Sequence, residues 1–97
     1  MLNFLKQKLT PLTYQEVVAG LTELGFEMLP KKATGHEQWR KVDENTKFLV
    51  TVSKHSSPFS KVLIQSIAKQ AGLKSREFHA LCKKQITLIE LKNLSEN

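Results

Sequence analysis

The stretch His36-Glu37-Gln38-Trp39-Arg40-Lys41-Val42-Asp43-Glu44-Asn45-Thr46-Lys47-Phe48-Leu49-Val50-Thr51-Val52-Ser53 decides the fold. Residues 47–53 alternate cleanly, with Phe48, Val50 and Val52 on one side and Leu49, Thr51 and Ser53 on the other, the period-2 pattern of a half-buried strand. Residues 36–42 read as its partner, with His36, Gln38 and Arg40 sharing one face and Glu37, Trp39 and Lys41 the other. Asp43-Glu44-Asn45 between them is polar and turn-prone. The pair is therefore a hairpin, with Phe48, Val50, Val52 and Trp39 toward the core.

Toward the N-terminus, residues 26–30 form a short strand, and Pro30 places it at an edge or a strand end. Ahead of it a helix spans 13–24. Thr13 followed by Glu16 is a capping box, Leu12 and Val17 are spaced for a hydrophobic staple, and Tyr14, Val17, Val18, Leu21 and Leu24 recur at helical spacing. Gly25 stops the helix at a position suited to left-handed backbone, and Gly20 allows close packing on a sheet. Toward the C-terminus, Ser57 as N-cap with Pro58 at the first helical position starts a second helix. Its buried stripe is Phe59, Val62, Leu63, Ile67, Ala68 and Ala71, and Gly72 closes it. Ser75 caps a third helix that turns Phe78, Leu81 and Cys82 inward, with His79 facing solvent. Residues 85–91 suit a helix or a strand equally, and the chain frays from Leu91. The order is helix, three-stranded antiparallel sheet, helix, short helix: an α+β fold with helices on one sheet face and His36, Gln38 and Arg40 on the open one.

Ninety-seven residues suffice for one domain, with a core over about 13–84 and extensions at 1–12 and 85–97. A single cysteine, Cys82, excludes an internal disulfide and a multi-cysteine zinc site, and its apolar setting reads as a buried inert thiol. No apolar run approaches the ~20 residues of a membrane span, and 1–12 lacks the continuous apolar core of a signal peptide. A reducing cytoplasm fits best. The formal net charge is +6. It is −1 over residues 1–30, +3 over 31–54, +5 over 55–84 and −1 over 85–97. The basic excess over 31–84 suits a phosphate-bearing partner, or else a solvated basic face. The histidines, at 36, 55 and 79, show no local metal-ligand spacing, and no metal or cofactor is expected.

Four pieces of the chain, in order, resemble the HicA toxins, small mRNA interferases of bacterial toxin–antitoxin modules. They are Tyr14-x-x-Val17-Val18 through Leu24-Gly25-Phe26-Glu27; Gly35-His36-x-x-Trp39; Val50-Thr51-Val52-x-x-His55; and Ile67-Ala68-Lys69-Gln70-Ala71-Gly72-Leu73 with Ser75 and Phe78. Together they cover about residues 13–82. The family's Gly-Ser ahead of the histidine reads Thr34-Gly35, and a common Gly-Thr of its second helix reads Val62-Leu63. The resemblance implies a double-stranded-RNA-binding-domain-like fold, metal-independent endoribonuclease action on mRNA with His36 as the catalytic residue, and neutralisation by a HicB-like antitoxin.

Such chemistry needs a group that takes the 2′-OH proton and cations that stabilise the phosphorane. An imidazole can act as base or acid near neutral pH, which is the role the resemblance gives His36. Lys31, Lys32, Arg40 and Lys54 are candidates for phosphate contact, Gly35 lets backbone approach the ligand, and Gln38 and His55 complete the RNA-contacting set. His55 reads first as a loop residue and second as another acid/base. Two other readings remain: a non-catalytic RNA-binding module on the same fold, and a protein-interaction domain that uses the apolar ends, 1–12 and 86–94, to hold a partner or a second copy.

Overall fold

A capping box starts the fold. Thr13 Oγ1 accepts from the Glu16 N–H at 3.1 Å, and the Glu16 carboxylate accepts from the Thr13 N–H at 2.9 Å. Two donors that a helix start leaves unpaired are thus satisfied, and helix α1 spans Tyr14–Leu24. Our computed structural model describes residues 8–30 and 36–96. Leu12 and Val17, on either side of the cap, are both fully buried, as a staple requires. Burial raises the Glu16 carboxyl pKa, but the Thr13 N–H and the Lys83 ammonium at 3.1 Å outweigh it and hold the group below the usual carboxylate value. At Gly25, φ is 99°. The Phe26 N–H there reaches Leu21 O at 2.9 Å and the Gly25 N–H reaches Thr22 O at 3.0 Å, a Schellman ending that only a residue free of Cβ clashes adopts readily.

That turn delivers the chain to β1 (Glu27–Met28), followed by β2 (Glu37–Asp43) and β3 (Thr46–Val52). The sheet is antiparallel in the order β1-β2-β3. β2 and β3 pair from Glu37↔Val52 to Asp43↔Thr46, and β1 joins through Glu27↔Arg40 and Met28↔Trp39. The strands run one residue further into the turn than the polar triplet suggests. Only Glu44 and Asn45 remain to reverse the chain, with Glu44 at φ 49°. Trp39, Val50 and Val52 are buried on one sheet face together with Glu37, while Arg40, Leu49 and Thr51 are exposed on the other. This is the facing the alternation predicts.

The second helix begins later than the Ser57-Pro58 signal suggests. Residues Lys54–Ser56 form a 3-10 turn. Phe59 then bridges Leu12, with Phe59 N–H to Leu12 O at 2.7 Å and Leu12 N–H to Phe59 O at 3.2 Å. Backbone held in an extended bridge cannot also be helical, so Ser60 becomes the cap, accepting from the Leu63 N–H at 3.4 Å, and α2 spans Lys61–Gln70. With that start the buried stripe is Ile64, Ile67, Ala68 and Ala71, an i, i+3, i+4, i+7 series. Val62 and Leu63 fall outside it and are exposed.

Helix α3 spans Ser75–Cys82 with Lys74, not Ser75, at the N-cap position and no side-chain cap bond. Phe78, Leu81 and Cys82 are buried as expected, but so is His79, at 4% exposure. Its Nε2 lies 3.0 Å from Thr10 O and 3.1 Å from Thr10 Oγ1. The chain ahead of α1 packs over α3 and satisfies the imidazole, which is why it does not face solvent. The ambiguous segment 85–91 is resolved by a second capping box: Thr87 N–H to Glu90 Oε1 at 2.9 Å and Glu90 N–H to Thr87 Oγ1 at 3.1 Å. Helix α4 follows over Leu88–Glu96, and Leu91 is buried at 3% instead of fraying. No helix among the described residues is long and apolar enough to cross a membrane.

Gly20 packs on α3 and not on the sheet: a Cβ there would collide with Cys82 Sγ. Burial, with the Glu16 and Glu23 carboxylates adding to it, pushes the Cys82 thiol well above its ordinary pKa, in line with an inert core sulfur. Alanine gains about 1 kcal/mol over glycine in a helix, whereas forced overpacking costs about 1–3 kcal/mol. Gly20→Ala should therefore lower the urea-unfolding free energy by about 1 kcal/mol. In a Cys82→Ala background the same change should be neutral or stabilising. Stabilisation by Gly20→Ala in the wild-type background would contradict this helix contact.

Candidate functional site

The pleat of β2 sends Glu37 inward and leaves His36, one residue earlier, outside. Glu37 is only 3% exposed, and a carboxylate so deep needs partners. Tyr14 Oη donates to its two oxygens at 2.6 and 2.8 Å, and Trp39 Nε1–H donates to Oε1 at 3.1 Å. Tyr14 is also tied elsewhere. Its backbone N–H donates to Ser57 Oγ at 2.9 Å, and Lys54 Nζ stands 5.1 Å from its ring centroid, within cation–π range. One side chain thus fastens the start of α1 to the start of β2 and to the turn after β3. Burial first, then the hydrogen bond to Glu37 and its negative charge, push the Tyr14 phenol from 10.0 up to about 12.

His36 is exposed at the same end of the sheet. The pairing Glu37↔Val52 sets it level with Ser53. Beside it lies a groove of about 240 Å³. Thr51, Ser53 and Ser56 line it from the β3 side, and Leu63, Ser66 and Gln70 from α2, over Phe59 and Ile67. Gln70 seals the outer edge of β3. Its Oε1 accepts the Thr51 N–H at 2.9 Å, while its Nε2 donates to Ser66 O and Ser66 Oγ, both at 3.2 Å. An edge N–H that would otherwise await another strand is thereby occupied.

Of the residues singled out in the sequence, Gln38 and Arg40 lie along the outer face of β2, and His36 immediately precedes the strand. Gln38 is half-buried, its Oε1 accepting from Thr51 Oγ1 at 3.1 Å, and Arg40 is exposed. Four residues of strand separate Arg40 from His36 by about 13 Å, so the two do not converge on one point. Lys54 and His55 are exposed in the turn that adjoins His36's end of the sheet; His55 does not line the groove. Lys31, Lys32 and Gly35 lie outside the described residues. Sequence reasoning did not single out Ser53, Ser56, Leu63, Ser66 or Gln70, and it left Tyr14 as a helix residue only. One signal was available: an acidic residue predicted on an apolar strand face, as Glu37 is, demands a donor from the covering layer.

The fold and site define a small α+β domain that presents a histidine at an open sheet end, beside a mixed polar and apolar groove. The family model of the HicA toxin of bacterial toxin–antitoxin modules matches residues 14–73. That is well over half of the chain, and the protein belongs to this family. The matched stretch contains His36 and every groove-lining residue, and it stops ahead of α3 and α4. No curated protein and no solved structure matches.

Tyr14 is the chain's single tyrosine, so tyrosinate absorbance reports it alone. The folded protein should ionise near pH 12; a midpoint at 10 would mean that Glu37 does not hold the phenol. The folded pKa is raised above the unfolded one, so this contribution to stability is complete below pH 10 and lost between about 10 and 12. Tyr14→Phe should cost about 1–3 kcal/mol near neutral pH, by removing a donor from a buried carboxylate. The gap from wild type should narrow above pH 10.

Proposed function

We propose that this protein is a metal-independent endoribonuclease acting on mRNA, the toxin of a two-gene module neutralised in the cytoplasm by a HicB-like antitoxin. The observation that carries the reading is the exposed His36 immediately before β2, within a stretch that matches the HicA family. In this reading His36 takes the 2′-hydroxyl proton of one ribose. The 2′-oxygen attacks the adjacent phosphorus, the bond to the 5′-oxygen of the next nucleotide breaks, and that oxygen is reprotonated. The products are a 2′,3′-cyclic phosphate and a 5′-hydroxyl.

Lys54 serves as the nearby cation, its ammonium oriented by the Tyr14 ring. Lys31, Lys32 and Gly35, which precede His36 directly in the chain, contact the same phosphate region. Arg40 and Gln38 follow the RNA along the open sheet face, with Arg40 on a more distant phosphate. His55 contributes at the turn. Leu12, Ile86 and Leu91 from the flanking segments share a buried cluster with the matched stretch, which supports one domain over 1–97. Of the C-terminal extension, the exposed Ile89 on α4 is the large apolar residue left for the antitoxin or a second copy.

The test is cleavage of a mixed RNA in EDTA by wild type and by His36→Ala, both shown to be folded. Wild type should cut, and the variant should be slower by about 10²–10⁴, the range of a lost general acid–base group. Equal rates would contradict the assignment. Salt-dependent RNA binding with no products from wild type would make the protein a binding module instead.

A further inference from the structure

We propose that the groove beside His36 is a base pocket: it takes one unstacked nucleobase of a single-stranded RNA, next to the phosphodiester that is cut. The inference rests on the RNA-cleaving reading above and adds to it what the enzyme recognises.

Size is the first argument. At about 240 Å³ the groove falls below the ~300 Å³ at which pockets for drug-sized ligands begin, and it holds one planar ring system, not two. Chemistry is the second. Phe59, Leu63 and Ile67 give it an apolar wall, and Ser53, Ser56 and Ser66 place hydroxyls around it. A base presents that same pairing of an apolar face and a polar edge, and single-stranded RNA is read through splayed bases that meet apolar faces and edge donors. The Ser53 and Ser56 hydroxyls make no side-chain hydrogen bond among the described residues, and both residues line the groove. Gln70 and Thr51 are already bonded to each other and fix the opposite rim.

Charge is the third. Among the described residues no carboxylate lines the groove, and the pleat turns Glu37 to the other face of β2. Lys54 and Lys69, each adjacent in sequence to a lining residue, are exposed. An anionic backbone is therefore tolerated around the groove while a neutral base enters it. Position is the fourth. His36 is itself a lining residue, so a seated base brings its own or a neighbouring ribose to the imidazole. This would make cleavage depend on which base fits.

The test is a titration of isotopically labelled protein with each of the four nucleoside 5′-monophosphates and with ribose 5-phosphate, followed by amide NMR. The Ser53, Ser56, Ser66 and Gln70 signals should move with at least one nucleotide and stay still with ribose 5-phosphate. Ser66→Phe, which fills the groove from an exposed position on α2, should weaken that nucleotide at least about tenfold. Identical shifts with ribose 5-phosphate, no shifts at these four residues, or unchanged affinity in Ser66→Phe would overturn the proposal. The outcome separates from that of the nuclease reading. Base-dependent shifts with uncut RNA would keep the pocket and remove the nuclease. Cut RNA without base-dependent shifts would do the reverse.

Discussion

The site end of this protein depends on one buried carboxylate. Glu37 lies on the core side of β2, where an unpaired charge would be prohibitive, and the Tyr14 hydroxyl and Trp39 indole are among the groups that make it tolerable. Because Tyr14 is the first residue of α1 and also accepts Lys54 on its ring and bonds Ser57 through its backbone, satisfying one charge fixes three segments at once. The neighbouring residue, His36, inherits a defined position without being buried. A histidine on a free loop would sample many orientations; one that adjoins a strand whose first residue is pinned below the sheet samples fewer.

The groove follows from how α2 meets the sheet. The Leu12–Phe59 bridge delays the helix until Lys61 and sets its register. Ile64, Ile67 and Ala68 then face the core, while Leu63, Ser66 and Gln70 meet the outer edge of β3. Gln70 closes that edge by bonding Thr51. Leu63, exposed like Val62 at the start of α2, lines the groove wall.

Most of the architecture was legible because it is local. The Thr13–Glu16 box, the Gly25 ending and the alternation of 47–53 each specify their element within a few residues, and the sheet facing follows from Trp39 and Val50. What escaped is non-local. Ser57 looks like a cap, yet Phe59 is held by Leu12 ahead of α1, 47 residues away in sequence. His79 looks like a helix-surface residue until Thr10 covers it. The Thr87–Glu90 box is as plain as the first, but the apolar run around it suits a strand equally well. For the site, His36 came from the family motif. The serines and glutamine that line the groove carry no signal, because strand, turn and helix bring them together only in the folded chain.

The proposed chemistry requires that His36 itself perform proton transfer in RNA cleavage. The most direct measurement is the single-turnover cleavage rate against pH, set beside the His36 imidazole titration followed by NMR in the same protein. The account predicts that the rate changes with the same midpoint as the imidazole. A rate that runs flat through the His36 titration would contradict it.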